Sequence, residues 1–394
     1  MPAEWEPHDA TWLAWPHYQG DWPGKFEPIP WVYCEITRNL ARHERVELIV
    51  NNAVAERKAR KLLERADALS KNIRFHRWPT NRSWVRDSGA IFVRRMDGSD
   101  TPVRALPNAS QTLVGNNVRE GHDFRFQPAL SKRIAPKGAD RDFRKKRASA
   151  PEAMALHFRF NAWAKYSNWR HDQKIGGLMA HASKTPAVRP VYNKIRVVLE
   201  GGSIDVNGRG TILTTEECLL SKMQERNPTM SRPSYEKLFA DYLGAPHVIW
   251  LGRGIAGDDT HGHVDDLTRF VAHDTVLTMV EHNSRDINHQ PLRANLRRLQ
   301  AAHDQSGKRL NIVELPMPAP VVFEQRRLPA SYANFYIANG IVLVPVFNDP
   351  NDRIALNTLS ALFPKRQIVP VYSGDLVWGL GTMHCMTQQQ PAVL

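Results

Sequence analysis

A cysteine stands almost at the end of the chain, in Gly379-Leu-Gly-Thr-Met-His-Cys385-Met-Thr-Gln-Gln-Gln390. It has little apolar company in sequence and follows glycines that let backbone bend closely around a ligand. Cys385 is therefore a candidate nucleophile as well as a candidate small residue of a final strand. A second stretch, Gly257-Asp258-Asp259-Thr260-His261-Gly262-His263-Val264-Asp265-Asp266, gathers two histidines and four aspartates. If His263 to Val271 is extended, His263 and Asp265 share a face, because strand side chains alternate with period two. An imidazole beside a carboxylate suits general-base work or a shared cation. In Leu199-Glu200-Gly201-Gly202-Ser203-Ile204-Asp205 a strand runs into a carboxylate and two glycines, which admit a close approach or make a tight turn. Asn81-Arg-Ser-Trp84-Val-Arg86-Asp87-Ser-Gly89 places an indole, a guanidinium and a carboxylate on a loop after a strand. Alone, that loop is equally a salt-bridged turn. Together the four stretches supply a thiol, a histidine, several carboxylates and an aromatic. That set suits attack on a guanidinium carbon. Carboxylates grip the planar cation through its N–H forks, an aromatic stacks on its face, and a thiolate attacks while a histidine protonates departing ammonia.

The acidic stretch also supports other chemistry. His261-x-His263-x-Asp265-Asp266 is similar to the His-x-His-x-Asp-His run of metallo-β-lactamase-type hydrolases, with Asp266 at the final histidine, and imidazoles and carboxylates at this spacing suit zinc. Gly252-Arg-Gly254-Ile-Ala-Gly257 is formally GxGxxG. The residues that follow are acidic and would repel a phosphate, so it carries little weight.

The elements that must position these residues alternate. Val46 to Val50 reads as a buried strand ended by Asn51-Asn52, Ala53 to Leu69 as a helix, and Ile73 to Trp78 as a strand closed by Pro79. Helix then strand returns at Ser234–Leu243 and His247–Leu251, at Leu292–Gln305 and Leu310–Leu315, and at Asp352–Phe363 and Gln367–Val371. Four such pairs at irregular intervals indicate a repeated α/β module rather than a solenoid of fixed period. The stretch from Thr101 to about residue 157 breaks the pattern. It is basic and patchy, and reads as an inserted loop of disordered composition in an otherwise single domain spanning 1–394.

With 394 residues and 42% apolar content, the chain can bury a large core. Its longest apolar run near the end, Ile341 to Phe347, is far short of the roughly 20 residues of a membrane helix. No basic-then-apolar leader is visible at Met1-Pro-Ala-Glu-Trp-Glu-Pro. The three cysteines, Cys34, Cys218 and Cys385, are too few and too scattered for a disulfide framework and fit a reducing cytoplasm. The net charge of +13 invites nucleic acid, but Arg119 to Arg147 alone holds ten Lys/Arg against four Asp/Glu, a net of +6 in 29 residues. A local run of this kind is a solvated loop more often than a nucleic-acid patch, and no nucleic-acid motif accompanies it.

The motifs also resemble a known group. Met1-Pro-Ala-Glu-Trp-Glu-Pro-His8, Ala10-Thr-Trp-Leu-Ala-Trp-Pro16, Trp84-Val-Arg-Asp-Ser-Gly89 and Phe160-Asn-Ala-Trp163 come first, followed by Leu199-Glu-Gly-Gly-Ser-Ile204 and Thr214-Thr-Glu-Glu-Cys-Leu-Leu220. Asp259-Thr-His-Gly-His-Val-Asp265, Ser331-Tyr-Ala-Asn-Phe-Tyr-Ile-Ala-Asn-Gly340 and His384-Cys385-Met-Thr-Gln-Gln-Gln-Pro391 complete the series. In this order they resemble the agmatine deiminase group of the bacterial peptidyl-arginine-deiminase-like family of guanidino-group-modifying enzymes. The resemblance implies an α/β fold, a five-bladed propeller (pentein) of ββαβ modules. It implies no metal, no organic cofactor, a small guanidine substrate and, as in many members, a homodimer.

By position, the resemblance makes Cys385 the nucleophile and His263 the acid and then base. Glu200 would orient His263, Asp87 and Asp265 would grip the guanidinium, Trp84 would wall it, and Asp259 would face the rest of the substrate. With agmatine, the products implied are N-carbamoylputrescine and ammonia. Peptidyl-arginine or another guanidine is the alternative within the family. A zinc hydrolase built on His261, His263 and Asp265, or a deiminase-like polyanion binder without turnover, are the alternatives outside it. The chain departs from the group's pattern at Leu380, Thr382, Asp205 and His261 and in Trp163-Ala-Lys-Tyr166, departures expected at the substrate rim.

Overall fold

The computed structural model describes residues 1–94 and 152–393. Five of its sheets repeat one connectivity: an antiparallel strand pair, then a helix that returns the chain to a parallel neighbour. In the first, Thr387–Pro391 lies antiparallel to His8–Ala14, and helix Ile29–Ala41 leads to the parallel strand Arg45–Val50. Helix Ala53–Arg65 then adds Ile73–Arg77 to the same sheet. The second pairs Ile91–Arg94 with Ala153–Leu156 and continues through helix Ile175–Ala182 to Ala187–Val188. The third runs Asp205–Val206, Thr211–Thr215, helix Arg232–Leu238 and His247–Leu251. The fourth runs Thr268–Ala272, Thr275–Val280, helix His289–Ala301 and Asn311–Pro316. The fifth runs Tyr336–Ala338, Ile341–Val346, helix Pro350–Leu362 and Gln367–Tyr372.

Local chemistry accounts for these elements. Ile341–Val346 is an almost unbroken apolar run, buried at every position but the last, as suits a strand covered on both faces by packed elements. The Asn52 side chain caps the Ala53–Arg65 helix by accepting from the Val54 and Ala55 N–H groups, and Asp349 with Asp352 forms a capping box ahead of Pro350. All four helix–strand pairs expected from the sequence form. Two more exist, at Ile29–Val50 and Ile175–Val188. The second of these ends in a strand of two residues, too short for any alternation to register.

The insert is smaller than its expected bounds. Ala153–Leu156 is a strand, and His157 is buried with Nε2 2.7 Å from the Gln173 carbonyl. Positions 101–151 lie outside the described residues. Among the described residues no helix is long and apolar enough to cross a membrane.

Each of the five modules opens on a single helical turn that feeds its first strand. The turns are Val85–Ser88, Gly201–Ser203, Val264–Asp266, Tyr332–Asn334 and Met383–Met386. They touch one another in a closed cycle, in that order and back to the start. The last turn is tethered because the C-terminal strand completes the N-terminal sheet, Thr387 opposite Leu13 and Gln388 opposite Trp12. Two amides of its buried polar run have partners: Trp12 Nε1 donates to Gln390 Oε1 at 3.1 Å and Arg86 donates to Gln389 Oε1 at 2.6 Å, while Gln388 Oε1 is unpartnered among the described residues.

Candidate active site

The ring of turns brings the expected residues together. Cys385 is 6% exposed and packs with Trp84, Met383 and Met386 in an apolar cluster, so the scant apolar company of its sequence neighbours does not describe its surroundings. The glycine ahead of it does permit a close approach, here to the protein's own side chains. A Cβ at Gly381 would stand 2.9 Å from Cys385 Cβ, 3.2 Å from its Sγ and 3.0 Å from the Trp84 ring. Asn334 Nδ2 donates to Cys385 Sγ at 3.1 Å, and Asp265 Oδ2 lies 3.8 Å from the sulfur. Burial, then the negative charges of Asp265, Asp266 and Asp87, push the thiol well above its usual range.

His263 and Asp265 meet, though not along a strand. Val264–Asp266 is a helical turn and the strand begins only at Thr268. Asp258 shapes the approach: its Oδ2 accepts from the Gly262 and His263 N–H groups at 2.7 and 3.1 Å, and its Oδ1 from the Thr260 N–H at 2.7 Å. The His263 ring is 1% exposed, with Nδ1 3.9 Å from both Asp87 Oδ1 and Asp265 Oδ1. Neither ring nitrogen has a hydrogen-bond partner among the described residues. Burial disfavours the imidazolium, but Asp87, Cys218 and Asp265 outweigh it and hold the His263 proton well above the ordinary imidazole range.

Asp87 is fixed by two donors, Trp163 Nε1 to Oδ2 at 2.9 Å and the Gly202 N–H to Oδ1 at 3.1 Å. Burial raises its carboxyl to about 6, with Asp265 and Glu200 adding to the rise and His263 opposing it. Asp265 is held low: burial opposes ionisation, but His384, at 2.7 Å from Oδ2, and the charges of His263 and Arg269 prevail. Its Oδ1 is buried and unpartnered among the described residues.

Glu200 is not hydrogen-bonded to His263. Its Oε1 accepts from Arg226 Nε at 3.1 Å, and its Oε2 is free among the described residues. Glu200, Cys218 and His263 nevertheless bring polar atoms within 4.8 Å of one another. The glycines after Glu200 make this packing feasible. A Cβ at Gly202 would stand 2.6 Å from His263 Nδ1, 2.9 Å from Asp265 Oδ2 and 3.1 Å from Asp87 Oδ1. Gly202→Ala is accordingly expected to lower kcat/KM by roughly 10²-fold, the cost of displacing reacting groups by about an ångström. Steady-state kinetics on the folded variant checks this.

Trp84, Asp87, Cys385, Trp163 and Asp259 line one cavity of ≈ 260 Å³, which Leu380 and Arg326 also border. Glu200, His263 and Asp265 are buried and do not line it, though His263 Nδ1 lies 3.9 Å from Asp87 Oδ1 and Asp265 Oδ2 3.8 Å from Cys385 Sγ. Asp259 sits at the outer part, in an ion pair with Lys165 and accepting from the Tyr166 hydroxyl at 2.5 Å, with Arg326 at 3.8 Å. Three consecutive left-handed residues, Ala162, Trp163 and Ala164, turn the chain so that Trp163, Lys165 and Tyr166 all reach this site.

Not every departure from the group's pattern falls on the rim. Leu380, at φ 70°, does line the cavity. Asp205 instead accepts from Arg269 Nε at 3.0 Å and the Phe270 N–H at 2.8 Å, beneath the site. Thr382 is buried, donating to Asn334 Oδ1 at 2.8 Å. The His261 ring turns to Ser221, with Nε2 3.1 Å from its hydroxyl, so His261, His263 and Asp265 do not form a ligand set.

A model of the Porphyromonas-type peptidyl-arginine deiminase family matches residues 1–391. The chain belongs to that family. It is 30% identical over 415 residues to an agmatine deiminase of Pseudomonas aeruginosa (strain LESB58) and 31% identical over 415 residues to one of Pseudomonas syringae pv. syringae (strain B728a). Both alignments cover 100% of this chain and 95% of the relative. Among solved structures it is similar to the agmatine deiminase of Enterococcus faecalis, with 26% identity, a TM-score of 0.79 and coverage of 100% of this chain and 96% of that one. It is also similar to a substrate-bound C. jejuni agmatine deiminase, with 26% identity, a TM-score of 0.74 and coverage of 99% and 95%. Family membership makes the chain a hydrolase of the guanidino-group-modifying type.

Three groups in the site escaped the sequence roles. Cys218 beside His263 and Arg226 on Glu200 are far from the acidic run in sequence. Asn334 lies inside the Ser331–Gly340 motif, where only its place on a module-opening turn marks it out.

Proposed function

We propose that this protein deiminates agmatine, hydrolysing its guanidinium to N-carbamoylputrescine and ammonia through a covalent intermediate on Cys385. The observation that carries the proposal is the convergence on one cavity of Cys385, Trp84 and Asp87, with the unpartnered Asp265 Oδ1 and His263 nitrogens next to them. The five-bladed propeller expected from the family is supported by the five repeated modules and the closed cycle of their opening turns.

In this reaction Asp87 and Asp265 hold the guanidinium N–H groups and the Trp84 ring covers its face. The cation arrives beside a thiol that burial and carboxylates keep protonated, and its charge favours loss of that proton to water. The thiolate bonds to the guanidinium carbon. The adduct collapses with C–N cleavage as His263 donates its proton to the leaving nitrogen, which departs as ammonia. His263, now neutral, takes a proton from water whose oxygen adds to the same carbon. The C–S bond then breaks as the hydroxyl proton of the adduct passes to the departing sulfur, releasing the neutral ureido product and restoring the thiol. Glu200, a buried carboxylate near His263, favours the imidazolium. Asp259 faces the amine end of agmatine.

One observation favours a second substrate within the same chemistry. Lys165 and Arg326 already surround Asp259, so a guanidine whose far end carries a carbonyl or carboxylate, such as an arginyl peptide, meets cations there. Assaying ureido product from agmatine, arginine and peptidyl-arginine separates the two. No product from any of them, in protein whose Cys385 is reactive, would refute deimination by this site.

The pH profile follows from the same groups. Asp87 grips a cation only when ionised, so kcat/KM should fall as pH drops through about 6. His263 must carry its proton, which its neighbours hold well above the ordinary range, so the alkaline limb should come late. An acid side that stays flat through this range would remove Asp87 from the grip.

A further inference from the structure

Among the described residues, the carboxylates that line the cavity are Asp21, Asp87, Asp259 and Glu324. The first three are already engaged. Asp21 pairs with Arg82, and Asp87 accepts from Trp163 and the Gly202 N–H. Asp259 holds Lys165 and the Tyr166 hydroxyl, with Arg326 at 3.8 Å. Glu324 forms no salt bridge or hydrogen bond among the described residues. It stands at the tip of a hairpin whose strands, Val322–Phe323 and Arg326–Arg327, pair antiparallel. Glu324 and Gln325 make its two-residue turn, with φ 48° and 61°. Both positions are left-handed, a conformation that favours glycine or asparagine over either of these residues. The hairpin is nevertheless held in place. Arg327 Nη1 donates to Asp286 Oδ2 at 2.6 Å, and the Leu328 N–H donates to the Val321 carbonyl at 2.9 Å. The Phe323 ring meets the Trp378 ring edge-on at 4.7 Å between centroids, and Trp378 itself borders the cavity. The tip carrying Glu324 is thus anchored against the cavity wall.

We propose that Glu324 determines substrate specificity: it pairs with the ammonium at the far end of the substrate and disfavours a carboxylate there. The inference deepens the agmatine reading and rests on it. Asp87 and Asp265 take the guanidinium, so the second cation of agmatine reaches away from them along the cavity. Asp259, the group that the resemblance places at that end, shares its charge with Lys165 and Arg326, and a third cation beside it meets like charges. Glu324 has no partner to give up, so an incoming ammonium adds a charge-assisted contact without breaking another. Free arginine brings an α-carboxylate beside its ammonium. Lys165 and Arg326 attract that carboxylate and Glu324 repels it, so selectivity for agmatine comes from repulsion as well as attraction.

The test is isothermal titration of the full chain carrying Cys385→Ser, with and without Glu324→Gln, against agmatine, n-butylguanidine and arginine. n-Butylguanidine keeps the guanidinium and the carbon chain but lacks the ammonium, so the ratio of its Kd to that of agmatine reads the ammonium alone. With Glu324 present, agmatine should bind roughly fivefold tighter than n-butylguanidine, the size of an ion pair at the edge of solvent. Glu324→Gln is nearly isosteric at an exposed hairpin tip and should abolish that advantage while narrowing the gap between agmatine and arginine. Glu324→Lys should reverse the preference in favour of n-butylguanidine. A ratio that Glu324→Gln leaves unchanged overturns the proposal, as does agmatine that binds no tighter than n-butylguanidine when Glu324 is present. Loss of the advantage in Asp259→Asn but not in Glu324→Gln would assign the ammonium to Asp259 instead and overturn it equally. The titration needs no turnover, so a product assay that finds no ureido compound refutes deimination while the ratio still decides the role of Glu324.

Discussion

Cys385→Ser is expected to reduce kcat by roughly 10⁴-fold or more, because a serine hydroxyl at the same position is a far weaker nucleophile without a strong adjacent base. Among the described residues, the hydrogen-bond partners of the sulfur include no strong base. Its close polar neighbours are an amide donor, Asn334, and the Asp265 carboxylate at 3.8 Å. The substitution is nearly isosteric and leaves the Asn334 donor in place, so the variant should fold and still bind the guanidine. Circular dichroism and isothermal titration check those two points beside the rate. Turnover within tenfold of the parent would place the nucleophile elsewhere, and Cys218, within 4.8 Å of the Glu200 and His263 polar atoms, would be the next thiol to test.

The chemistry of the site was more legible in sequence than its geometry. Cys385, His263, Asp265, Asp87 and Trp84 are recognisable as residue types in short polar stretches, and the five modules bring those stretches to one place. Periodicity could not show how. Each residue is delivered by one helical turn, and a turn of three or four residues has no period to read. The same limit misplaced His263 and Asp265 on a strand. The long helices at Ala53–Arg65 and Pro350–Leu362 are apolar on one stripe and capped by Asn52 and Asp349, so their positions were readable to within a few residues. The strand Ala153–Leu156 was absorbed into the basic insert because its partner, Ile91–Arg94, lies across that insert in sequence.

The buried polar layer under the site was illegible for a related reason: its pairs are long-range. Glu4 meets Arg269 at 2.9 Å, Arg86 at 3.3 Å and His384 at 2.8 Å, and Arg269 meets Asp205. Burial opposes the Glu4 charge, but Arg269, His384 and Arg86 hold its carboxyl well below the usual range. Asp205 reads as a departure at a substrate rim only while Arg269 is out of view. Once paired, it belongs to the layer that carries His384, and through His384 it bears on the orientation of Asp265.

Asp265→Asn should therefore give two effects of opposite sign. The carboxylate presents Oδ2 to His384 Nδ1 at 2.7 Å and leaves Oδ1 free among the described residues for a guanidinium N–H. An amide keeps the shape but loses the charge. Whichever way it faces, its NH2 points at His384 or at the substrate cation. Removing one partner of a buried charge pair costs about 3–5 kcal/mol, so kcat/KM should fall by roughly 10²- to 10⁴-fold. The same change removes, after burial, the largest influence that holds the Cys385 thiol protonated. Alkylation of Cys385 in substrate-free protein should consequently become faster at a given pH while turnover collapses. Simple disruption of the site would not couple the two in this way, because it would slow turnover without a downward shift in the alkylation midpoint. A midpoint that stays in place or rises in Asp265→Asn would mean that Asp265 does not act on the sulfur electrostatically, and the grip on the guanidinium would then have to be carried by Asp87 alone.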